Sequence, residues 1–284
     1  MLVGSAKRNL CVMPQRSVVQ KPPTTLSDAD TQALRYAKSL LEHPGLAIKI
    51  TNVIGMPIER ALQWLPGNWS DAVNRATRKA LETALQAAVA TLGDRTPRRA
   101  SEFMHKLAVA AAGAGGGAFG LAGLPIELPL STTIMLRSVA DIARSEGEDL
   151  ASTATKLACL EVFALGGRTT SDDAGESTYF FMRAALARSV SQASEYLVGR
   201  TVIEESAPAV VQLISQLAGR FGVNVSEKVA AQAVPVIGAA GGATINLLFI
   251  DHFQDMARGH FIVRRLERQY GAQIVRNAYE QLAP

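Results

Sequence analysis

The chain has 284 residues, of which 48% are hydrophobic, 19% charged and 6% aromatic, with a net charge of +4. That length supports a substantial core, and so few charges imply a lean polar surface or a large buried fraction, because about a quarter of an average soluble domain is charged. Sparse aromatics argue against a stacking platform for single-stranded nucleic acid, while the mild basic excess favours an anionic partner such as a lipid surface only weakly.

Residues 1–26 carry Lys7, Arg8, Arg16 and Lys21, no acid, and the helix-breaking Pro14, Pro22 and Pro23. They read as a flexible basic N-terminal tail. No apolar run of signal length follows Lys7 and Arg8. The two cysteines, Cys11 and Cys159, form no CxxC pair, so free thiols in a reducing compartment are expected.

Ser27 is a suitable N-cap for a helix running to about His43. A short helix is predicted around 56–65. Asn68 or Ser70 caps a longer one reaching about Leu92, where Trp69, Val73, Ala76, Ala80 and Ala84 step by three or four. Residues 107–126 contain no charge and are rich in glycine, including Gly113, Gly116, Gly117 and Gly120. A helix is predicted from Pro129 to Gly147, and another from Ser152 to Leu165. Polar residues 168–178 read as an internal loop.

A helix follows with Tyr179, Met182, Leu186, Val190, Ala193 and Leu197 on one stripe, ending at Gly199. Ser206 and Pro208 open a helix to Gly219, and Ser226 caps the next. Residues 229–250 form a second charge-free stretch, interrupted by Pro235 and Gly238. It passes into Asp251, His252 and Asp255 and then a basic terminal helix. No strand alternation is visible. The expected fold is all-α, a multi-helix bundle with two glycine-rich apolar central helices, in which 27–284 form a single helical domain.

Each charge-free stretch is long enough to cross a bilayer core. Each also has small residues four apart, as Gly113 with Gly117 and Gly238 with Gly242, which let two backbones approach closely. Burial inside a soluble bundle is the favoured reading, because glycine costs a helix about 1 kcal/mol relative to alanine and packing must compensate. Contact with a membrane is the second. A phosphate-cradling loop is the weakest, since no Lys-Ser/Thr ending and no preceding strand are present.

The run GGGAFGLAGLPIELPLSTTIMLRSVADIARSEGEDL (116–150), the block LACLEVFALGG (157–167) and the run VPVIGAAGGATINLLFIDHFQDMARGHFIVRRLERQYG (234–271) together resemble the EcsC protein family. Their order and spacing match, and the resemblance covers roughly residues 75–275, leaving the tail and residues 27–66 outside. It implies a helical, bacterial protein that is cytoplasmic or peripheral at the inner membrane, with a link to transport or envelope processes. It implies no catalytic residue.

The catalytic candidates are Glu127, Asp141 and His252. Glu127 lies between Pro125 and Pro129 in an apolar stretch, and the favoured role is to accept backbone N–H bonds at the following helix start. Arg137, Asp141 and Arg144 share a helix face and suit ion pairing. Asp251 and Asp255 are four apart with His252 beside them, so these three form a candidate metal site. Asn246, within the second apolar stretch, should seek an interhelical hydrogen bond. Ser131 and Ser138 sit in no GxSxG elbow.

The expected function is non-enzymatic binding of a lipid, an acyl chain or a membrane surface, with Arg258, Arg264, Arg265 and Arg268 as the anion contacts. No cofactor and no nucleic acid are expected. The alternatives are a metal-dependent hydrolase using a divalent cation at a carboxylate–histidine site between helices, and a protein–protein adaptor.

Overall fold

The computed structural model of the chain describes residues 25–42, 45–63, 65, 67–92, 123–165, 178–200, 202–234 and 238–282. Residues 1–24, most of the first charge-free stretch and residues 166–177 lie outside these. The expectations of a flexible tail and an internal loop therefore fall on undescribed residues.

Among the described residues there are ten α-helices and no strand. In chain order they are α1 (Asp28–Glu42), α2 (Leu46–Ile54), α3 (Ile58–Leu62), α4 (Trp69–Thr91), α5 (Leu124–Ser145), α6 (Thr153–Glu161), α7 (Thr178–Leu197), α8 (Pro208–Gln232), α9 (Gly238–Tyr270) and α10 (Ala272–Gln281). A short 3-10 turn, Val162–Ala164, extends α6. The chain is an all-α bundle, as its periodicity predicts.

The 33-residue α9 is the central element. It packs against α1, α2, α5, α8 and α10. Phe249, Ile250, Phe253, Met256, Ala257, Phe261 and Val263 are all buried, so the helix is covered on nearly every side. Its aromatic residues join Phe163 and Phe221 in a cluster with ring centroids 5.1–5.9 Å apart. Gly259 marks the crossing with α1, where a Cβ would stand 2.6 Å from Leu41 Cγ and 3.0 Å from the Ala37 carbonyl oxygen.

Several boundaries differ from the sequence reading for identifiable reasons. Ser27 does cap α1: its Oγ accepts the Asp30 N–H at 3.1 Å and donates to Asp30 Oδ2 at 2.8 Å. Helix α5 starts at Leu124 rather than near Pro129. Pro125 occupies the first turn, where no amide partner is needed, so Pro129 removes one ladder bond close to the helix end. Helix α8 is continuous through Gly219 and Ser226, which were expected to end one helix and cap another. Its buried stripe of Leu213, Leu217, Phe221 and Val225 spans the predicted break, and the Ser226 hydroxyl donates back to the Gly222 carbonyl at 2.7 Å.

The second charge-free stretch is shared between two helices, the end of α8 and the first half of α9. Helix α2 was not anticipated; Gly45 and Gly55, the latter at φ 69°, bound it. No helix among the described residues is long and apolar enough to cross a membrane.

Candidate functional site

Glu127 is buried on α5 and meets side chains rather than a helix start. Its Oε1 accepts Lys228 Nζ at 2.6 Å and Asn246 Nδ2 at 3.3 Å. Lys228 comes from α8, is wholly buried, and lies 5.0 Å from the Phe249 ring centroid. Burial pulls the Lys228 ammonium below its ordinary value, and Glu127 opposes that pull. One carboxylate thus ties α5, α8 and α9 together, and Asn246 makes its interhelical bond as expected.

The candidate metal ligands face other partners. Asp255 pairs with Lys49 at 3.2 Å and Arg258 at 2.9 Å. His252 points into the core against Phe253, and burial lowers it to about 3, assisted by the Lys49 charge. Asp251 lies half-buried one residue away. Asp141 bonds Arg144 at 2.9 Å, as helix spacing suggests. Among the described residues no three His, Cys, Asp or Glu side chains are grouped to hold a metal ion.

The four arginines expected to meet an anionic surface are engaged within the fold. Arg258 holds Asp255. Arg264 grips Glu148 through two bonds, at 2.8 and 3.2 Å. Arg265 reaches Glu146 at 2.8 Å and Asp30 at 3.4 Å, and Arg268 reaches Glu148 and the Glu146 carbonyl. The reason is local. Gly147, at φ 80°, ends α5 in a left-handed turn that presents Glu146 and Glu148 to α9. These carboxylates were not singled out in the sequence.

The same ion-pair layer floors an open groove of about 630 Å³ between α6, α7, α9 and α10. Arg183 on α7 forms a two-bond pair with Glu267 on α9, at 2.7 and 3.0 Å, and donates to Tyr179 Oη at 3.3 Å. The Tyr179 hydroxyl also shares a hydrogen bond with His260 Nδ1, 3.0 Å away. His260 Nε2 has no hydrogen-bond partner among the described residues and lies 3.9 Å from Glu161 Oε2.

Burial pushes the Glu161 carboxyl above its ordinary range, although Arg183 and Arg264 pull the other way. Burial likewise keeps His260 well below its usual value, reinforced by the same two arginines. Sequence spacing held a faint signal of this cluster. His260, Arg264 and Glu267 fall on one face of α9, Tyr179 and Arg183 are four apart, and Glu161 is a lone acid in an apolar run.

The fold defines an all-helical protein assembled around one long buried helix, with ionisable side chains concentrated at helix contacts. The chain belongs to the EcsC protein family, whose model matches residues 30–266. The matched region thus extends over α1 to α3, beyond the blocks that carry the resemblance in the sequence. No curated protein and no solved structure matches the chain.

Proposed function

We propose that this protein docks on an anionic membrane surface through the N-terminal part of α5, and that it binds rather than catalyses. One observation carries the reading. From Leu107 to Leu136 the only ionisable residue is Glu127, and it is turned inward onto Lys228. On the outside of α5, Ile126 is 79% exposed and Leu130 53% exposed, one turn apart. Pro125 is exposed as well, and Pro129, Thr133 and Ile134 are half-buried, so they continue an apolar stripe at helical period.

In the sequence this run follows Arg95, Arg98, Arg99 and Lys106. Cations in the same stretch of sequence as an apolar stripe suit an interfacial protein, each contributing about 1 kcal/mol where it comes near anionic lipid. This placement moves the anion contacts away from Arg258–Arg268, whose guanidiniums already hold carboxylates.

The test is flotation with vesicles containing anionic lipid, comparing the natural protein with Ile126→Glu/Leu130→Glu. Both positions are exposed, so the double variant should keep its helical circular dichroism. Its bound fraction is expected to fall about tenfold or more, because two buried aliphatic side chains are each worth on the order of 1.5 kcal/mol. Absence of flotation by the natural protein, or equal flotation by the variant, refutes the reading.

A further inference from the structure

We propose that a lipid phosphate is bound between Arg137 on α5 and Lys156 on α6, at the carboxyl end of α4, so that the apolar stripe and these two cations form one docking face for an anionic bilayer. The inference rests on the membrane reading of α5 and names the groups that meet the headgroups.

Helix geometry places Arg137 on the stripe. At about 100° per residue, Ile126, Leu130, Thr133 and Arg137 fall within about 60° of one another around α5. Arg137 is exposed, like Ile126 and Leu130. It stands roughly 16 Å beyond Ile126 along the helix axis. One leaflet of a bilayer's hydrocarbon core is about 15 Å thick. A helix entering obliquely, with its first turns among the acyl chains, therefore brings Arg137 towards the phosphates, and the flexible stem of the side chain adjusts the remaining height.

The two cations are held in place without being neutralised. Arg137 Nη2 donates to Thr91 Oγ1 at 3.5 Å, and Lys156 Nζ donates to the Val89 carbonyl at 3.2 Å. Both acceptors lie in the last turn of α4, whose carboxyl end favours positive charge, so cations from two other helices converge there. Asp141, four residues after Arg137, holds Arg144 at 2.9 Å instead. Among the described residues neither Arg137 nor Lys156 has a carboxylate at ion-pair distance. The Nε and Nη1 donors of Arg137 and the other Lys156 N–H donors are thus uncommitted.

This separates the pair from the arginines of α9. Arg258, Arg264, Arg265 and Arg268 each hold a carboxylate within the fold. A phosphate between Arg137 and Lys156 displaces no such pair, and charge-assisted hydrogen bonds to its oxygens are the stronger kind. The apolar stripe running up to Arg137 selects a phosphate that carries acyl chains over a free one.

The full chain is floated with phosphatidylcholine vesicles, and with vesicles in which phosphatidylglycerol replaces part of that lipid. The natural protein is expected to bind the anionic vesicles more tightly. Arg137→Gln and Lys156→Gln should each weaken that binding about fivefold, and the double variant roughly 25-fold, at unchanged affinity for neutral vesicles. A merely structural loss would lower both. Ile126→Glu/Leu130→Glu should lose binding to both kinds of vesicle. Helical circular dichroism checks that every variant is folded. A second readout uses no vesicle: with arginine side-chain nitrogens labelled for NMR, monomeric dihexanoyl phosphatidylglycerol should shift the Arg137 Nε–H signal, and inorganic phosphate at the same concentration should shift it less.

Equal binding of the natural protein to both kinds of vesicle, or anionic binding undiminished in the double variant, overturns the proposal and leaves the stripe reading standing. A shift as large with inorganic phosphate as with the lipid also overturns it, because the site then serves a free ion. Failure of the natural protein to float with either kind of vesicle removes the stripe reading and the proposal with it.

Discussion

The buried contact of Glu127, Lys228 and Asn246 offers a sharp test of how the bundle is held. The perturbation is Glu127→Gln, which keeps the shape and removes the charge. In the natural protein, opposite charges 2.6 Å apart attract by about 6 kcal/mol at an effective dielectric of about 20. Desolvating both ions costs several kcal/mol each, so the intact pair is near break-even. The variant leaves Lys228, which is 0% exposed, without its counter-charge.

The expected loss is about 3 kcal/mol at pH 7, the low end for breaking a buried pair. A melting temperature lower by about 6–12 °C should accompany it. The sign with pH follows from Lys228, whose folded value burial already lowers. Without Glu127 it falls further, so the unfolded chain binds more protons and stability rises with pH. The deficit should therefore shrink between neutrality and about pH 10, the ordinary lysine range.

Glu127→Gln/Lys228→Met should recover most of the loss, because no lone charge remains. Urea unfolding followed by circular dichroism from pH 6 to 10 reads all three proteins. A deficit below about 1 kcal/mol, a deficit that widens with pH, or a double variant no better than the single one would refute this reasoning.

Three other outcomes are expected. Glu148→Gln should cost about 2 kcal/mol in urea unfolding at pH 7, because Arg264, Arg268 and Thr155 all bond that carboxylate. Its arginine bonds hold Glu148 below the ordinary range despite burial, so this contribution is present above about pH 4 and lost on acidification; the variant should approach the natural protein below that. Gly259→Ala should lose about 2 kcal/mol in thermal unfolding by pushing α1 off α9, and Leu41→Ala in the same chain should restore part of it. In a Cys11→Ser background, Cys159 should react with a thiol reagent only after unfolding, since burial both shields the thiol and pushes its ionisation up.

The helical architecture was legible because its signals are local and periodic. The stripe Val73, Ala76, Ala80, Ala84 and the Ser27 cap survive in the structure with little displacement. Boundaries failed where a local breaker was outvoted by burial. Gly219 and Ser226 look like punctuation, yet Leu217, Phe221 and Val225 bury the helix straight through them. Pro129 failed for a related reason, because Pro125 had already opened the helix a turn earlier.

The candidate site was less legible, since its partners are remote in sequence. Glu127 stood out as a lone acid among apolar residues, but Lys228, 101 positions away, carries no mark of being buried. The basic face of α9 was visible, whereas the turn that neutralises it was not. Glu146 and Glu148 sit in a short polar segment that reads as ordinary solvated loop. Only the approach of that turn to α9 shows them as the partners of Arg264, Arg265 and Arg268.

That approach also bears on why so lean a complement of charge suffices. Arg264, Arg265 and Arg268 spend their charge inside the fold, gripping the turn after α5 and, through Asp30, the start of α1. Pairs of this kind fix which helices meet, but they leave little net field pointing outwards. The outer stripe of α5 is then distinguished by the absence of charge, and an uncharged patch on a sparsely charged surface is suited to lipid contact. Adding a single carboxylate at Ile126 or Leu130 disturbs that face without touching the internal pairs. Replacing Glu148 does the reverse. If membrane association and bundle stability are separate properties of the two regions, the α5 variants should change flotation and leave unfolding unaltered. Glu148→Gln should lower stability and leave flotation of the folded protein intact. A Glu148→Gln protein that remains folded yet no longer floats would show that the arginine layer itself meets the membrane.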